Sequence, residues 1–249
     1  MQLQGTVAIV TGGNGGLGQR ICHALANTGS HIVVVYTQSR DAARAVASEI
    51  QRTGVHAEAM ACDVTNPQQV EQLVSRVLDT FGRLDILVND AAYNKWIPFN
   101  DLEALTYEEW QKILDVHLTG PMLCIKAVAP VMQRQGAGRI VNIASIAGLS
   151  PSGSSIAYAV SKAGLIHLTR CMAVGLAPDI LVNCIPPGYL EGTRATANLD
   201  PAYQEQSRIG ALLKRAADKD DIAEQVVAFC RTDSVTGQTL AIDAGRFFH

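Results

Sequence analysis

The 249-residue chain predicts an α/β protein of one domain, residues 1–249, built as a doubly wound parallel sheet with helices on both faces. Three observations carry this expectation. Short apolar runs alternate with longer helix-like segments, a pattern that implies parallel strands buried on both faces. A glycine-rich loop joins the first run to the first helical stretch. A hydrophobic content of 48% over 249 residues suffices for one large core, and no Pro/Gly/Ser-rich stretch, low-complexity tract or charge block divides the chain.

The elements follow in order. Thr6-Val7-Ala8-Ile9-Val10 is a β-branched apolar run that leads into Thr11-Gly12-Gly13-Asn14-Gly15-Gly16-Leu17-Gly18 and then a helical stretch, Gln19 to Asn27. Further strand-like runs lie at Ile32–Tyr36, Leu84–Val88, Ile140–Ala144 and Ile180–Cys184. Pro67 opens one helix, and Thr106 with Glu109 has the spacing of a capping box that opens another. That second helix carries Trp110, Ile113, Leu114, His117 and Leu118 at helical spacing, which predicts one buried stripe with His117 facing inward.

Composition narrows the function. A formal charge of −3 leaves no basic footprint for nucleic acid. No run of roughly 18 uninterrupted apolar residues predicts a membrane span, and the mixed start through Gln2, Gln4 and Gly5 does not read as a secretory leader, so a cytoplasmic protein is expected. The six cysteines are scattered, without a Cys-x-x-Cys pair or a nearby His at zinc spacing, so neither a disulfide frame nor a metal is expected.

Two places carry chemistry. Glycines permit positive φ and close backbone approach, so Gly12-x-x-x-Gly16-x-Gly18 between strand and helix can seat a pyrophosphate at the positive end of that helix; a tight strand-to-helix turn is the plainer alternative. Tyr158 and Lys162 stand four residues apart, so one helical turn aims a phenol and an ammonium the same way, with Ser145 thirteen positions upstream. A phenol exchanges protons near neutral pH only where a positive charge favours its phenolate, and Lys162 is placed to supply that charge.

With these residues in order, the chain resembles the short-chain dehydrogenase/reductase family from Leu3 to about Gly245. The glycine loop matches Thr11 to Gly18, the acidic residue after the third strand matches Asp63 before Val64, and the segment after the fourth strand matches Val88-Asn89-Asp90-Ala91-Ala92. Ser145 and Tyr158-x-x-x-Lys162 match the family's catalytic groups, and Pro187-Gly188 and Val235-Thr236-Gly237-Gln238 match two later signatures, the second before a last strand at Leu240 to Asp243.

The resemblance implies a Rossmann-like fold and hydride transfer between nicotinamide and a ketone or secondary alcohol. It assigns Tyr158 as general acid/base, Ser145 to the substrate oxygen, and Lys162 both to the phenolate and to the nicotinamide ribose. Gly12, Asn14, Gly16, Leu17, Gly18, Asp63, Val64, Asn89, Ala91, Pro187 and Gly188 would bind cofactor, and Thr193 would reach its carboxamide. His117 stands where the family usually has an asparagine that helps hold a water joining the lysine to solvent; the imidazole either holds or relays that proton, or it is an altered position.

No acid occupies Tyr36 or Thr37 at the end of the second strand, while Ser39 and Arg40 offer phosphate ligands, which favours NADP(H) with NAD(H) as the alternative. A lid is implied over about Tyr189 to Leu213, and Tyr93, Trp96, Ile97, Leu149 and Tyr189 suggest a largely apolar substrate pocket. A 3-oxoacyl thioester is one candidate substrate, and a homotetramer is the family's assembly, with the Phe247-Phe248-His249 tail a candidate for packing on a neighbour or over a pocket. Two other readings use the same scaffold: a dinucleotide-binding redox sensor without turnover, and a dehydratase or epimerase.

Overall fold

Six strands pair in the order β3-β2-β1-β4-β5-β6, all parallel, in a computed structural model that describes residues 1–197 and 199–248. The chain alternates strand and helix: β1 (Val7–Thr11), α1 (Gly18–Ala26), β2 (His31–Tyr36), α2 (Arg40–Gln51), β3 (Ala57–Ala61), α3 (Pro67–Phe81) and β4 (Ile86–Asn89). Then come α4 (Tyr107–Leu114), α5 (Gly120–Gln135), β5 (Gly138–Ile143), α6 (Ile156–Leu176), β6 (Ile180–Ile185), α7 (Arg194–Ala197), α8 (Pro201–Ile209) and α9 (Lys219–Arg231). The run expected as a last strand is reduced to bridges, Cys184 with Thr239 and Pro187 with Ile242, beside β6.

Side chains alternate across the sheet with a period of two, which divides the core between its faces. Ala8, Val10, Ile32, Val34, Ile86 and Val88 pack with α1, α2 and α9, whereas Val7, Ile9, Val33, Val35 and Leu87 pack with α3 and α5. Helix starts obey local chemistry: the Asn66 side chain accepts from Gln69 N at 3.1 Å with Pro67 at the first helical position of α3, and Ser155 accepts from Tyr158 N at 3.1 Å at the start of α6. Thr106 caps α4 by accepting from Glu109 N at 3.3 Å, but the Glu109 carboxylate does not return to complete the box. It binds Lys95 Nζ at 2.9 Å and Tyr93 Oη at 3.1 Å instead.

The stripe expected on this helix is interrupted. Residues Asp115–Thr119 form a π-helical turn between α4 and α5, and the extra residue shifts the faces relative to regular helix. Of the five residues, Ile113 and His117 are buried while Trp110, Leu114 and Leu118 are only partly covered. The continuous helical rod Tyr107–Gln135 is long and apolar enough to cross a membrane by length and composition, yet here it packs on α3 and α6.

Candidate active site

The strand order turns back between β1 and β4, so the carboxyl ends of these strands open a crevice. The Thr11 hydroxyl ties the two ends together, accepting from Asp90 N at 3.0 Å and Ala91 N at 3.1 Å. Beyond it, Gly12 adopts φ +68°, and a Cβ at Gly18 would stand 2.3 Å from the Gly12 carbonyl oxygen, so the loop closes only with glycine there. Asn14 Nδ2 donates to Gln38 O at 3.0 Å, which fastens the glycine loop to the end of β2.

A cavity of about 750 Å³ runs from Gly12 past Tyr36, Thr37 and Gln38 to Asp63, Val64 and Ala91. A second of about 470 Å³ runs from Gly16 and Leu17 to Ser145, Tyr158, Lys162, Pro187, Gly188 and Thr193. Gly12, Asn14 and Arg194 line both, so the two form one elongated crevice that passes the amino end of α1. Its glycine floor and the amides at the helix start fit a dinucleotide pyrophosphate.

Four residues expected at the cofactor lie outside the crevice lining, among them Gly18, which is buried at the start of α1. Asn89 is buried in the sheet, where its amide donates to Asn142 Oδ1 at 2.8 Å; a buried amide needs such a partner, and the sheet interior supplies it. Ser39 and Arg40 sit beyond the end of β2, exposed. Ser39 Oγ nevertheless accepts from Arg194 Nη2 at 3.1 Å, a contact from α7 that joins residues 155 apart in sequence.

Ser145, Tyr158 and Lys162 converge. Ser145, in extended backbone just after β5, caps the short helical turn Ile146–Gly148. Tyr158 lies in the first turn of α6; Lys162, one turn on, donates from Nζ to Ile143 O at 2.9 Å and stands 5.7 Å from the Tyr158 ring centre. Desolvation pushes the Tyr158 phenol up to about 12, and the neighbouring Ser145 hydroxyl only partly offsets it. The Lys162 ammonium is itself lowered to about 8 by burial, with Asp90 opposing. Asp90, facing the same crevice, is raised to about 8 by desolvation against the pull of Lys162.

His117 is buried and its ring meets Tyr158 edge to face at 5.2 Å. Burial first and Lys162 second lower its pKa to about 3, so the imidazole is neutral at pH 7. Nε2 lies 2.6 Å from Tyr93 O and 3.3 Å from Tyr93 N; the carbonyl can only accept and stands much the closer, which places the proton on Nε2 and leaves Nδ1 as the acceptor. That Nδ1 has no partner among the described residues.

On the other side of Ser145 and Tyr158 lies a cavity of about 130 Å³ under α7 and α8. Its lining is more polar than expected. Tyr189 lines it and Tyr93 lines the crevice, but Ile97 is buried, Leu149 packs on the Leu165 and Ile166 cluster, and Trp96 rests on Tyr203 at 5.2 Å. Asn94, Ser152, Ser207, Arg215 and Arg246 take their places. Sequence reasoning also missed Arg194, Arg215 and Arg246; the sole signal was position, Arg194 inside the implied lid, Arg215 two residues past its end and Arg246 three residues after Asp243. Among the described residues no group of three His, Cys, Asp or Glu side chains is placed to hold a metal.

The geometry agrees with comparisons to known proteins. Residues 6–204 match the short chain dehydrogenase family model. The chain belongs to that family. This dehydrogenase is 38% identical over 250 residues to the 3-oxoacyl-(acyl-carrier-protein) reductase of Synechocystis sp., with 98% of this chain and 97% of that protein covered. It is 34% identical over 247 residues to human dehydrogenase/reductase SDR family member 4, with 98% and 88% covered. Among solved structures, the NADPH-dependent 3-quinuclidinone reductase of Rhodotorula rubra superposes with a TM-score of 0.91 at 26% identity, over 98% of this chain and 92% of that one. The dehydrogenase is thus an oxidoreductase of CH–OH or keto groups that uses NAD(P).

Proposed function

We propose that this short-chain dehydrogenase works as an NADP(H)-dependent reductase of ketones, with Tyr158 as the proton donor. The observation that carries the reading is that Ser145, Tyr158 and Gly188 line both the dinucleotide crevice and the smaller cavity, so the phenol stands where the two meet. A nicotinamide held in the crevice would supply hydride to the carbonyl carbon. Tyr158, protonated throughout the working pH range because of its raised pKa, gives its proton to the carbonyl oxygen. Ser145 donates a hydrogen bond to that oxygen and stabilises the developing negative charge. Lys162 contributes positive charge beside the phenol and the crevice.

The choice of NADP(H) over NAD(H) is supported by the absence of an acid at Tyr36, Thr37 and Gln38 and by the Arg194 guanidinium bonded to Ser39 at the end of the crevice. A protein named as NADPH-dependent with a closely similar fold points the same way. The 38% identical relative makes a 3-oxoacyl thioester one member of the substrate class. We further read the chain as one domain with a lid over 189–213, working as a cytoplasmic homotetramer. Turnover decides the central point: Tyr158→Phe should lower kcat by a hundredfold or more, while the NADPH Kd changes less than twofold. Unchanged kcat would remove Tyr158 from proton transfer.

A further inference from the structure

We propose that the substrate carries an anionic group, a carboxylate or a phosphate, held by Arg215 and Arg246 over the cavity that Ser145 and Tyr158 line. The inference rests on the reductase reading and names its substrate class.

Arg215 and Arg246, both exposed, line the 130 Å³ cavity and not the nicotinamide crevice. The fold builds this arrangement deliberately. Asp243 is the only carboxylate in the cavity lining among the described residues, and its oxygens are already taken: Oδ1 accepts from Gly245 N at 2.9 Å and Oδ2 from Phe247 N at 2.7 Å. These two bonds straddle Arg246, so the acid fixes the turn that presents the arginine. Ala244 and Gly245 complete that turn in left-handed backbone, φ +56° and +77°.

The segment that carries Arg215 is fastened to the same turn, because Leu212 N donates to Gly245 O at 3.2 Å and Leu213 N to Ala244 O at 3.1 Å. Arg246 Nη1 lies against Gly210 so closely that a Cβ at that position would stand 1.6 Å from it. The end of α8 thus shapes a groove for the guanidinium.

Neutralisation separates these two arginines from their neighbour. Arg208 is bridged to Glu205 at 2.7 Å, whereas neither Arg215 nor Arg246 has a carboxylate within 4.0 Å among the described residues. On its far side Arg215 faces a cavity that Asp218 and Asp221 also line. Asp218 is engaged in capping α9 through Asp220 N at 2.8 Å. Two cationic forks over a reducing site suit carboxylate or phosphate, which they can bind by paired, charge-assisted hydrogen bonds.

Matched substrates test this. With NADPH saturating, kcat/KM is measured for oxo acids of increasing chain length (4-oxopentanoate, 5-oxohexanoate, 6-oxoheptanoate) against their methyl esters, and for dihydroxyacetone phosphate against dihydroxyacetone. The expected result is that at least one anion exceeds its neutral partner by about tenfold or more, carried mainly by KM; acids or phosphate identify which anion. Arg246→Ala and Arg215→Ala should each collapse that ratio, Arg246→Lys should keep part of it, and Gly210→Ala, which displaces the guanidinium without deleting it, should lower it too.

Ratios at or below one for every pair overturn the proposal, as do ratios untouched by all four variants. If the variants instead change only the oligomeric state seen by sedimentation, the arginines serve subunit contacts and the proposal also fails. Absence of turnover on every compound would sink the reductase reading itself. The anion site would then be judged by titrating the NADPH complex with 5-oxohexanoate: saturable binding lost in Arg246→Ala supports it, and no binding refutes it.

Discussion

Replacing Arg194 with alanine should weaken NADPH about tenfold and leave NADH nearly unchanged. The guanidinium lines both halves of the crevice and its Nη2 lies 3.1 Å from Ser39 Oγ, beside the end of β2, where an adenosine 2′-phosphate would sit. One hydrogen bond to a charged group contributes about 1.5 kcal/mol at the low end, the end that applies because Arg194 is exposed. At about 1.4 kcal/mol per decade that is a factor of about ten in Kd. Titration of purified protein by nicotinamide fluorescence reads both cofactors directly. The wild-type preference should also shrink as salt rises from 0.1 to 1 M, since the screening length falls from about 10 to about 3 Å. Equal losses for NADPH and NADH would refute the assignment. So would a tenfold selective loss in Arg40→Ala with none in Arg194→Ala, which would return the phosphate to the residue that sequence position favours.

Other expectations follow from the same geometry. Tyr158→Phe should abolish most turnover with NADPH binding intact, as set out above. Gly18→Ala would force a Cβ to 2.3 Å from the Gly12 carbonyl, so the loop must shift; at about 1–3 kcal/mol for such overpacking, dinucleotide Kd should rise roughly 5- to 150-fold, and a Kd unchanged within twofold would show that the loop does not cradle the cofactor. The Lys162 ammonium, lowered to about 8, is charged below that pH and neutral above it, so kcat/KM for reduction should fall as pH rises through about 8. Because Asp90 raises Lys162, Asp90→Asn should move that falling limb to lower pH; a limb that stays in place would separate it from Lys162. The same variant has a stability signature. The Asp90 carboxyl is raised from 3.8 to about 8, so its contribution to folding is full at low pH and lost as pH rises through about 8, and the Tm of Asp90→Asn should gain on wild type over that interval.

The sheet was legible because its strands are buried on both faces and therefore read as unbroken apolar runs: Val7 to Val10 and Ile32 to Val35 needed no tertiary information. The Ser145, Tyr158 and Lys162 cluster was legible for a different reason, since two of its members are fixed by one helical turn. What lay hidden depends on contacts between distant segments. Asn89 looks like a crevice residue from its place after β4, but its amide is drawn into the sheet by Asn142. Arg194 reaches Ser39 only because the segment that carries α7 passes the end of β2, and Arg246 reaches the cavity beside Ser145 and Tyr158 only because Asp243 turns the chain. The pattern Trp110 to Leu118 presumed regular helix, and an inserted residue cannot be seen in periodicity when the turn it makes is itself held by tertiary packing.

That π-helical turn bears on His117, for which sequence allowed either a proton relay or an altered position. A relay that gains and loses protons near neutral pH needs an imidazole near its ordinary value, whereas burial and Lys162 hold this one at about 3. The ring is also pinned: Nε2–H is committed to the Tyr93 carbonyl, and that carbonyl belongs to a segment of the crevice wall. What remains is a neutral acceptor, Nδ1, buried without a partner among the described residues, on a ring set edge-on to that of Tyr158. His117 should therefore act by position and not by titration. The pH profile of kcat/KM should show no limb near 6.5, and His117→Asn, which keeps a hydrogen-bonding amide, should retain activity within a few-fold, while His117→Leu, which keeps bulk but no acceptor, should lose more. A limb near 6.5 that vanishes in His117→Asn together with a large loss of rate would show that the imidazole carries protons after all.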